Sequence, residues 1–234
     1  LEGWHHSLRC ICWELCLMLG KQLTQAAAGA GGAEALYVDD VFSTYVYEGN
    51  GTSKRIYNNI DVDGEGGLVW IKNRDNSNHS HILADKNRGA LYALLTNATT
   101  ESDSYSGSVT DFHSDGFSVG DMAAVNNNQD NFVSWTFRKA PGFFDVVTYN
   151  GDGDPNTTIS HNLGCTPGMI VIKRTNTDGP WIVYHSGIGH TKKLLLNDDA
   201  YKTDMNNRIT AADSNTFTPG SDGDTNATNN TYIA

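Results

Sequence analysis

The segment that begins at Tyr47 recurs 102 positions later at Tyr149, and the recurrence continues in order along the chain. Tyr47-Glu-Gly49-Asn-Gly51 matches Tyr149-Asn-Gly151-Asp-Gly153, and Ile56, Asn59 and Ile60 match Ile159, Asn162 and Leu163. After a short gap, Gly67-Leu-Val-Trp-Ile-Lys72 falls on Gly168-Met-Ile-Val-Ile-Lys173. Leu95-Thr-Asn97 falls near Leu195-Leu-Asn197, Phe117-Ser-Val-Gly120 on Phe217-Thr-Pro-Gly220, and Asn131-Phe-Val-Ser134 near Asn230-Thr-Tyr-Ile233. Chance does not give six matches in one order. A period near one hundred residues exceeds the roughly 20–50 of a solenoid unit, so the repeat predicts a duplicated domain.

Each copy reads as β-structure. Gly67–Lys72 and Gly168–Lys173 are apolar for several residues and then end in Lys, which predicts core strands covered on both faces with their tips in water. Phe132–Phe137 alternates, with Val133, Trp135 and Phe137 on one side and Phe132, Ser134 and Thr136 on the other, as a half-buried strand would. Trp181-Ile-Val-Tyr-His185 alternates similarly. The Tyr-x-Gly-x-Gly element predicts a tight turn, because glycine carries no steric penalty at positive φ. Short strands at intervals of about ten residues predict an antiparallel sandwich or jelly roll in each copy.

Composition agrees. With 38% hydrophobic and 10% aromatic residues the chain is too apolar to stay disordered, and its 24 glycines accompany the Asn, Asp, Ser and Thr that turns need. The net charge of −11 repels phosphate and anionic lipid, so neither nucleic acid nor a membrane surface is expected as a partner. Short cationic pairs such as Lys72/Arg74 and Lys173/Arg174 sit at the ends of apolar runs, where they solvate strand ends.

Residues 1–35 form a leader and linker, residues 36–141 the first repeat and residues 142–234 the second. The run from Leu8 to Leu19 is interrupted by Arg9 and Glu14 and is too short to span a bilayer. It predicts a short helix passing into a Gly/Ala linker. A secretory signal ending near Ala26–Ala28 is the alternative, with Glu14 and Lys21 against it. Met18 reads as a natural start, which would make residues 1–17 translated flanking sequence. Cys10, Cys12 and Cys16 lack paired CxxC spacing, so free thiols are favoured over a zinc site, and no disulfide framework is visible.

Several strings carry a family resemblance: Tyr37-Val-Asp-Asp-Val-Phe-Ser43, Gly64-Glu-Gly-Gly-Leu-Val-Trp-Ile-Lys72, Asp115-Gly-Phe117 and Val133-Ser-Trp-Thr-Phe137. Phe143-Phe-Asp-Val-Val-Thr-Tyr149, Ile159-Ser-His-Asn-Leu-Gly164 and Pro167-Gly-Met-Ile-Val-Ile-Lys173 add to it. Over residues 18–234 the chain resembles an uncharacterised repeat domain of tail-fibre-like and other virion structural proteins of tailed phages, especially marine and cyanobacterial ones. The resemblance implies a concanavalin A-like lectin sandwich located in the virion, with other virion proteins, a homo-oligomeric arrangement and a host surface glycan as partners. It carries over no catalytic residue. The cysteine-rich start departs from the pattern. So does the end at Tyr232-Ile-Ala234, where the second copy should supply a counterpart of Trp135-Thr-Phe137; a fragment that aggregates or unfolds readily is therefore expected.

The candidate ligand-binding residues are Trp181 and Tyr184, as rings on which a sugar could stack, with His185, His79 and His81 beside them. Packing in the core is the competing role for both rings, and for Trp70, which aligns with Val171 in the expected core strand, packing is favoured over a sugar platform. His79-Ser-His81 places two imidazoles on one side of an expected strand, where a solvated face competes with metal ligation. Asp152-Gly-Asp154 is an oxygen-rich loop that Ca²⁺ would accept and that turn formation also explains. No G-x-S-x-G, HExxH or P-loop string is present, so the sequence reads as non-enzymatic, with no cofactor required beyond that Ca²⁺ option.

Overall fold

The computed structural model describes residues 36–199, 203–204 and 207–234. The expected leader helix, Cys10, Cys12, Cys16 and Met18 lie outside the described residues. Cys165 is disulfide-bonded, which cysteine spacing did not indicate.

The chain is all-β, with antiparallel pairing throughout and only one-turn helices among the described residues. Its first half contains β1 (Phe42–Glu48), β2 (Lys54–Tyr57), β3 (Gly67–Asn73), β4 (Ile82–Asp85), β5 (Tyr92–Leu95), β6 (Asp103–Ser104), β7 (Val109–His113), β8 (Gly116–Val119) and β9 (Asn131–Arg138). The second contains β10 (Thr148–Asn150), β11 (Ile159–Ser160), β12 (Met169–Arg174), β13 (Ile182–His185), β14 (Lys192–Leu195), β15 (Thr203–Asp204), β16 (Ala211–Ala212), β17 (Thr216–Thr218) and β18 (Thr231–Ile233). A six-stranded sheet runs β1-β9-β3-β4-β5-β6 and another runs β10-β18-β12-β13-β14-β15. Three-stranded sheets run β2-β8-β7 and β11-β17-β16, so one strand order occurs in both halves.

In the first half, Val69, Ile71, Ile82 and Phe132 of the larger sheet close on Ile56, Val109, Phe117 and Val119 of the smaller one. In the second, Ile170, Ile172, Tyr184 and Tyr232 close on Phe217 and Ile209. A third cluster joins Leu83 and Leu94 of the first half to Trp181 and Ile233 of the second, so the outer faces of the two larger sheets share apolar contacts. Backbone bonds reinforce this seam: Ser102 N–H donates to Thr175 O at 2.8 Å and Gly179 N–H to Thr99 O at 2.8 Å.

The alternation at β9 is inverted relative to hydrophobicity. Ser134 and Thr136 are fully buried, while Trp135 and Phe137 are only half-buried on the outer face. Each hydroxyl finds a partner: Asn58 Nδ2 donates to Thr136 Oγ1 at 2.7 Å, and Ser134 Oγ donates to Tyr45 O at 3.4 Å. β3 likewise alternates strictly instead of being buried on both faces. The expectation that the Lys tips of both runs reach water fails in β12 at Lys173, which is fully buried and donates its Nζ to Arg174 O at 2.6 Å. It points into the seam between the halves, where the neighbouring sheet excludes solvent.

The Tyr-x-Gly-x-Gly turns divide their labour. Gly51 and Gly153 take positive φ, +68° and +76°, whereas a side chain on Gly49 or Gly151 would run into the carbonyl of Asn127 or Ala227.

Candidate functional site

Two-residue periodicity sends Leu68, Trp70 and Lys72 of β3 to the outer face of the first larger sheet, beside Val133, Trp135 and Phe137 of β9. Trp70 and Trp135 are directly paired in register, and their rings meet edge to face with centroids 5.6 Å apart. His81 tilts against Trp70 with 6.0 Å between centroids. Burial, helped by the positive charge of Lys72, holds the His81 pKa below the ordinary imidazole value. Trp70 Nε1 and His81 Nδ1 are buried without a hydrogen-bond partner. An aromatic ridge with two polar atoms that have no partner can stack an apolar or sugar face; it offers no paired acid and base for hydrolysis.

The ridge runs into a cavity of about 190 Å³ at the seam between the halves. Leu68, Trp70, Phe137 and Phe144 wall one side; Val171 and Trp181 wall the other. Its polar groups are few. Asp145 is held by Lys139 at 2.9 Å and accepts from Asn162 N–H at 2.8 Å, while His161 Nε2 has no partner.

The residues predicted from sequence do not form one constellation. Trp181 is 3% exposed and donates its Nε1–H to Leu95 O across the seam at 3.0 Å, so its ring is committed to joining the halves. Tyr184 points the other way, into the second core, where it stacks on His190 with 4.6 Å between centroids. Neither ring is a free sugar platform; core packing accounts for both. His185 ends β13 and its Nδ1 accepts from Gly187 N–H at 3.0 Å. His79 and His81 both lie in the connection between β3 and β4, so neither sits on the expected strand, and the His79 carbonyl accepts from Lys72 Nζ at 2.8 Å.

Asp152 accepts from Thr157 Oγ1 at 2.6 Å, from Asp154 N–H at 2.9 Å and from Asn226 Nδ2 at 3.1 Å. The Thr157 hydroxyl, first among these, holds the Asp152 pKa below the usual carboxylate value. Asp154 accepts from Asn156 N–H at 2.9 Å. These are turn contacts of the loop itself, joined by Asn226 from the one-turn helix Gly223–Asn226 that packs on it. Among the described residues no group of three or more His, Cys, Asp or Glu side chains is placed to share a metal ion.

Sequence reasoning missed Trp135 and His161. Trp135 was hidden by its place in an alternating strand whose polar face turned out to be the inner one. His161 was visible: the repeat aligns it with Asn58, and a swap of one buried hydrogen-bonding side chain for another marks a place where the copies differ.

No curated protein and no solved structure matches the chain significantly. A family model described as Domain of unknown function (DUF7483) matches residues 38–234, a span that takes in both strand sets. The chain belongs to that family.

Proposed function

We propose that this chain is a non-enzymatic, host-attachment module of a tailed-phage virion, built as two tandem concanavalin A-like jelly-roll sandwiches. One observation carries the reading: the same order of a six-stranded and a three-stranded sheet occurs twice. Such an architecture leaves loops and an outer sheet face for contact while the cores do the holding. The phage setting rests on the resemblance of Val133-Ser-Trp-Thr-Phe137 and Pro167-Gly-Met-Ile-Val-Ile-Lys173 to virion repeat domains. Cyclic assembly with copies of itself and with other virion proteins follows from the symmetry of such particles.

Immunogold electron microscopy with antibodies to the chain tests the setting: gold on tails or particle surfaces is expected, and unlabelled particles defeat it. A second reading, a carbohydrate-binding lectin outside a virion, is favoured by the Trp70–Trp135–His81 ridge. A glycan array with and without Ca²⁺ tests it, the ridge predicting retention that Trp135→Ala abolishes. Sizing host polysaccharide after incubation tests the remaining option, a glycan-cleaving tail enzyme, for which shortened chains would be required.

A further inference from the structure

β1 is an edge strand: β9 covers one side of it, and among the described residues no strand pairs with the other. Native sheets blunt their edges, and the other edge strands of the first half are blunted. β6 is two residues long, β2 opens with Lys54-Arg55, and β7 is bulged between Val109 and Asp111. β1 runs for seven residues, Phe42–Glu48, in unbroken register with β9 and carries no Lys, Arg, Pro or Gly. Tyr45 and Val46 at its middle are 38% and 59% exposed.

Parity decides which backbone groups face outward. Gly49 N–H donates to Asp130 O at 2.8 Å, so the odd-numbered residues of β1 bond to β9 and the even-numbered ones face the open side. Two of the outward groups are already taken. Phe42 N–H donates to Val38 O of the one-turn helix Val38–Val41, and Glu48 O accepts from Lys54 Nζ at 2.6 Å. Phe42 O, Glu48 N–H and both groups of Thr44 and of Val46 remain for a partner.

That pattern is complementary to itself. With two copies of β1 antiparallel about a two-fold axis through Tyr45, Thr44 faces the second copy's Val46 and Phe42 faces its Glu48. The two taken groups then meet each other, and every free group meets a free one. Two bonds form at each Thr44–Val46 pair, and each Glu48 N–H donates to the facing Phe42 O. Sliding the register by two residues, the smallest step that keeps even positions opposed, sets Phe42 N–H against Val46 O or Glu48 O against Thr44 N–H, a taken group against a free one. Charge agrees with the axis through Tyr45: Lys54, at the Glu48 end, comes beside Asp39 and Asp40 in the turn that precedes the second copy's Phe42.

We propose that two copies of this chain join through β1, their larger first-half sheets becoming one continuous sheet with Tyr45 meeting its counterpart on the axis as a close, non-hydrogen-bonded pair. The contact stands on the edge geometry, so it goes beyond the attachment reading and holds or fails apart from the phage setting.

The test uses the full chain. Sedimentation velocity over about 1–200 µM should show a monomer–dimer equilibrium, since an edge contact is smaller than a standard interface. Amide exchange at Thr44 and Val46 should slow about tenfold between the ends of that range, while Tyr45 and Tyr47, bonded to β9, stay protected throughout. Val46→Pro removes one outward N–H and no bond to β9, so it should keep the circular dichroism of the unaltered chain and remain monomeric. Tyr45→Glu and Tyr45→Lys each set like charges on the axis and should be monomeric alone; mixed, they should pair with each other, because opposite charges then meet at residue 45. A chain that stays monomeric throughout the range, association that Val46→Pro leaves intact, or Glu and Lys variants that fail to pair when mixed overturns the proposal.

Discussion

Tyr47 lies over Phe132, 5.2 Å between ring centroids and 15° between planes, and its hydroxyl donates to Val125 O at 2.7 Å. Tyr149 repeats the arrangement on Tyr232, at 5.1 Å and 16°, donating to Thr225 O at 2.7 Å. Each phenol thus ties an outer strand of the larger sheet to the one-turn helix that precedes the next strand. Tyr47→Phe keeps the stack and leaves a buried carbonyl without its donor, a loss of about 1–2 kcal/mol in urea unfolding at pH 7.

The same burial drives the Tyr47 and Tyr149 pKa values well above that of a free phenol. The folded state keeps these protons where the unfolded chain, with a phenol pKa near 10, gives them up. The stabilisation is complete below about pH 10 and is lost as pH rises beyond it. Melting temperature measured from pH 9 to 12 should fall steeply above 10, and less steeply in the Tyr47→Phe, Tyr149→Phe double variant.

Much of this architecture is legible in the sequence because a repeat supplies its own alignment. Tyr47 and Tyr149, Gly51 and Gly153, and the strands β3 and β12 all fall where the matched strings put them. What the sequence hides is which face of a strand is inside. Phe132–Phe137 has its larger apolar group outside, where Val133, Trp135 and Phe137 lie half-buried and Phe137 lines the seam cavity, and alternation by itself has no sign. For the same reason Trp181 and Tyr184 looked equally available: they are three residues apart on a strand and its entry, and opposite faces bury them in different clusters.

A buried carboxamide organises the turn cluster in each half. Asn226 Nδ2 donates to Gly220 O at 2.8 Å, to Asp154 O at 3.0 Å and to Asp152 Oδ1 at 3.1 Å, and its Oδ1 accepts from Asp152 N–H at 3.2 Å. Asn126 makes the corresponding bonds to Gly120 O and Asn50. Asn226→Ala leaves backbone groups of two loops, Asp152 N–H, Asp154 O and Gly220 O, unpaired at once, with an expected cost of about 2–4 kcal/mol in chemical denaturation. Asn226→Asp keeps the size and removes the donors, so it should be no better than alanine at pH 7.

Lys173 carries the opposite electrostatic strain. Burial, reinforced by Arg174, lowers its pKa from the ordinary 10.5 to about 8. Below pH 8 both folded and unfolded chains hold the proton, and the fold bears the whole cost of the buried charge. Between about 8 and 10.5 the folded state releases a proton that the unfolded chain keeps, so stability rises with pH across that window. Lys173→Met should gain about 1–2 kcal/mol at pH 7, the desolvation relief being partly offset by the donor lost at Arg174 O. Its stability, followed by urea titration at several pH values, should no longer rise between 8 and 10.

Trp181 decides whether the halves unfold as one. Its indole N–H reaches Leu95 O across the seam at 3.0 Å, and its ring packs with Leu83, Leu94 and Ile233, which belong to both halves. Trp181→Phe retains most of that contact and loses the bond, so about 1–2 kcal/mol should disappear with the transition still single. Trp181→Ala empties the seam of its largest side chain, and the cost of about 3–5 kcal/mol falls on contacts between the halves more than on either core. Differential scanning calorimetry should then resolve two transitions where the unaltered chain gives one, because each larger sheet keeps its own smaller sheet as a partner. A single transition in Trp181→Ala, lowered but unsplit, would mean that the backbone bonds from Ser102 to Thr175 and from Gly179 to Thr99 suffice to couple the halves.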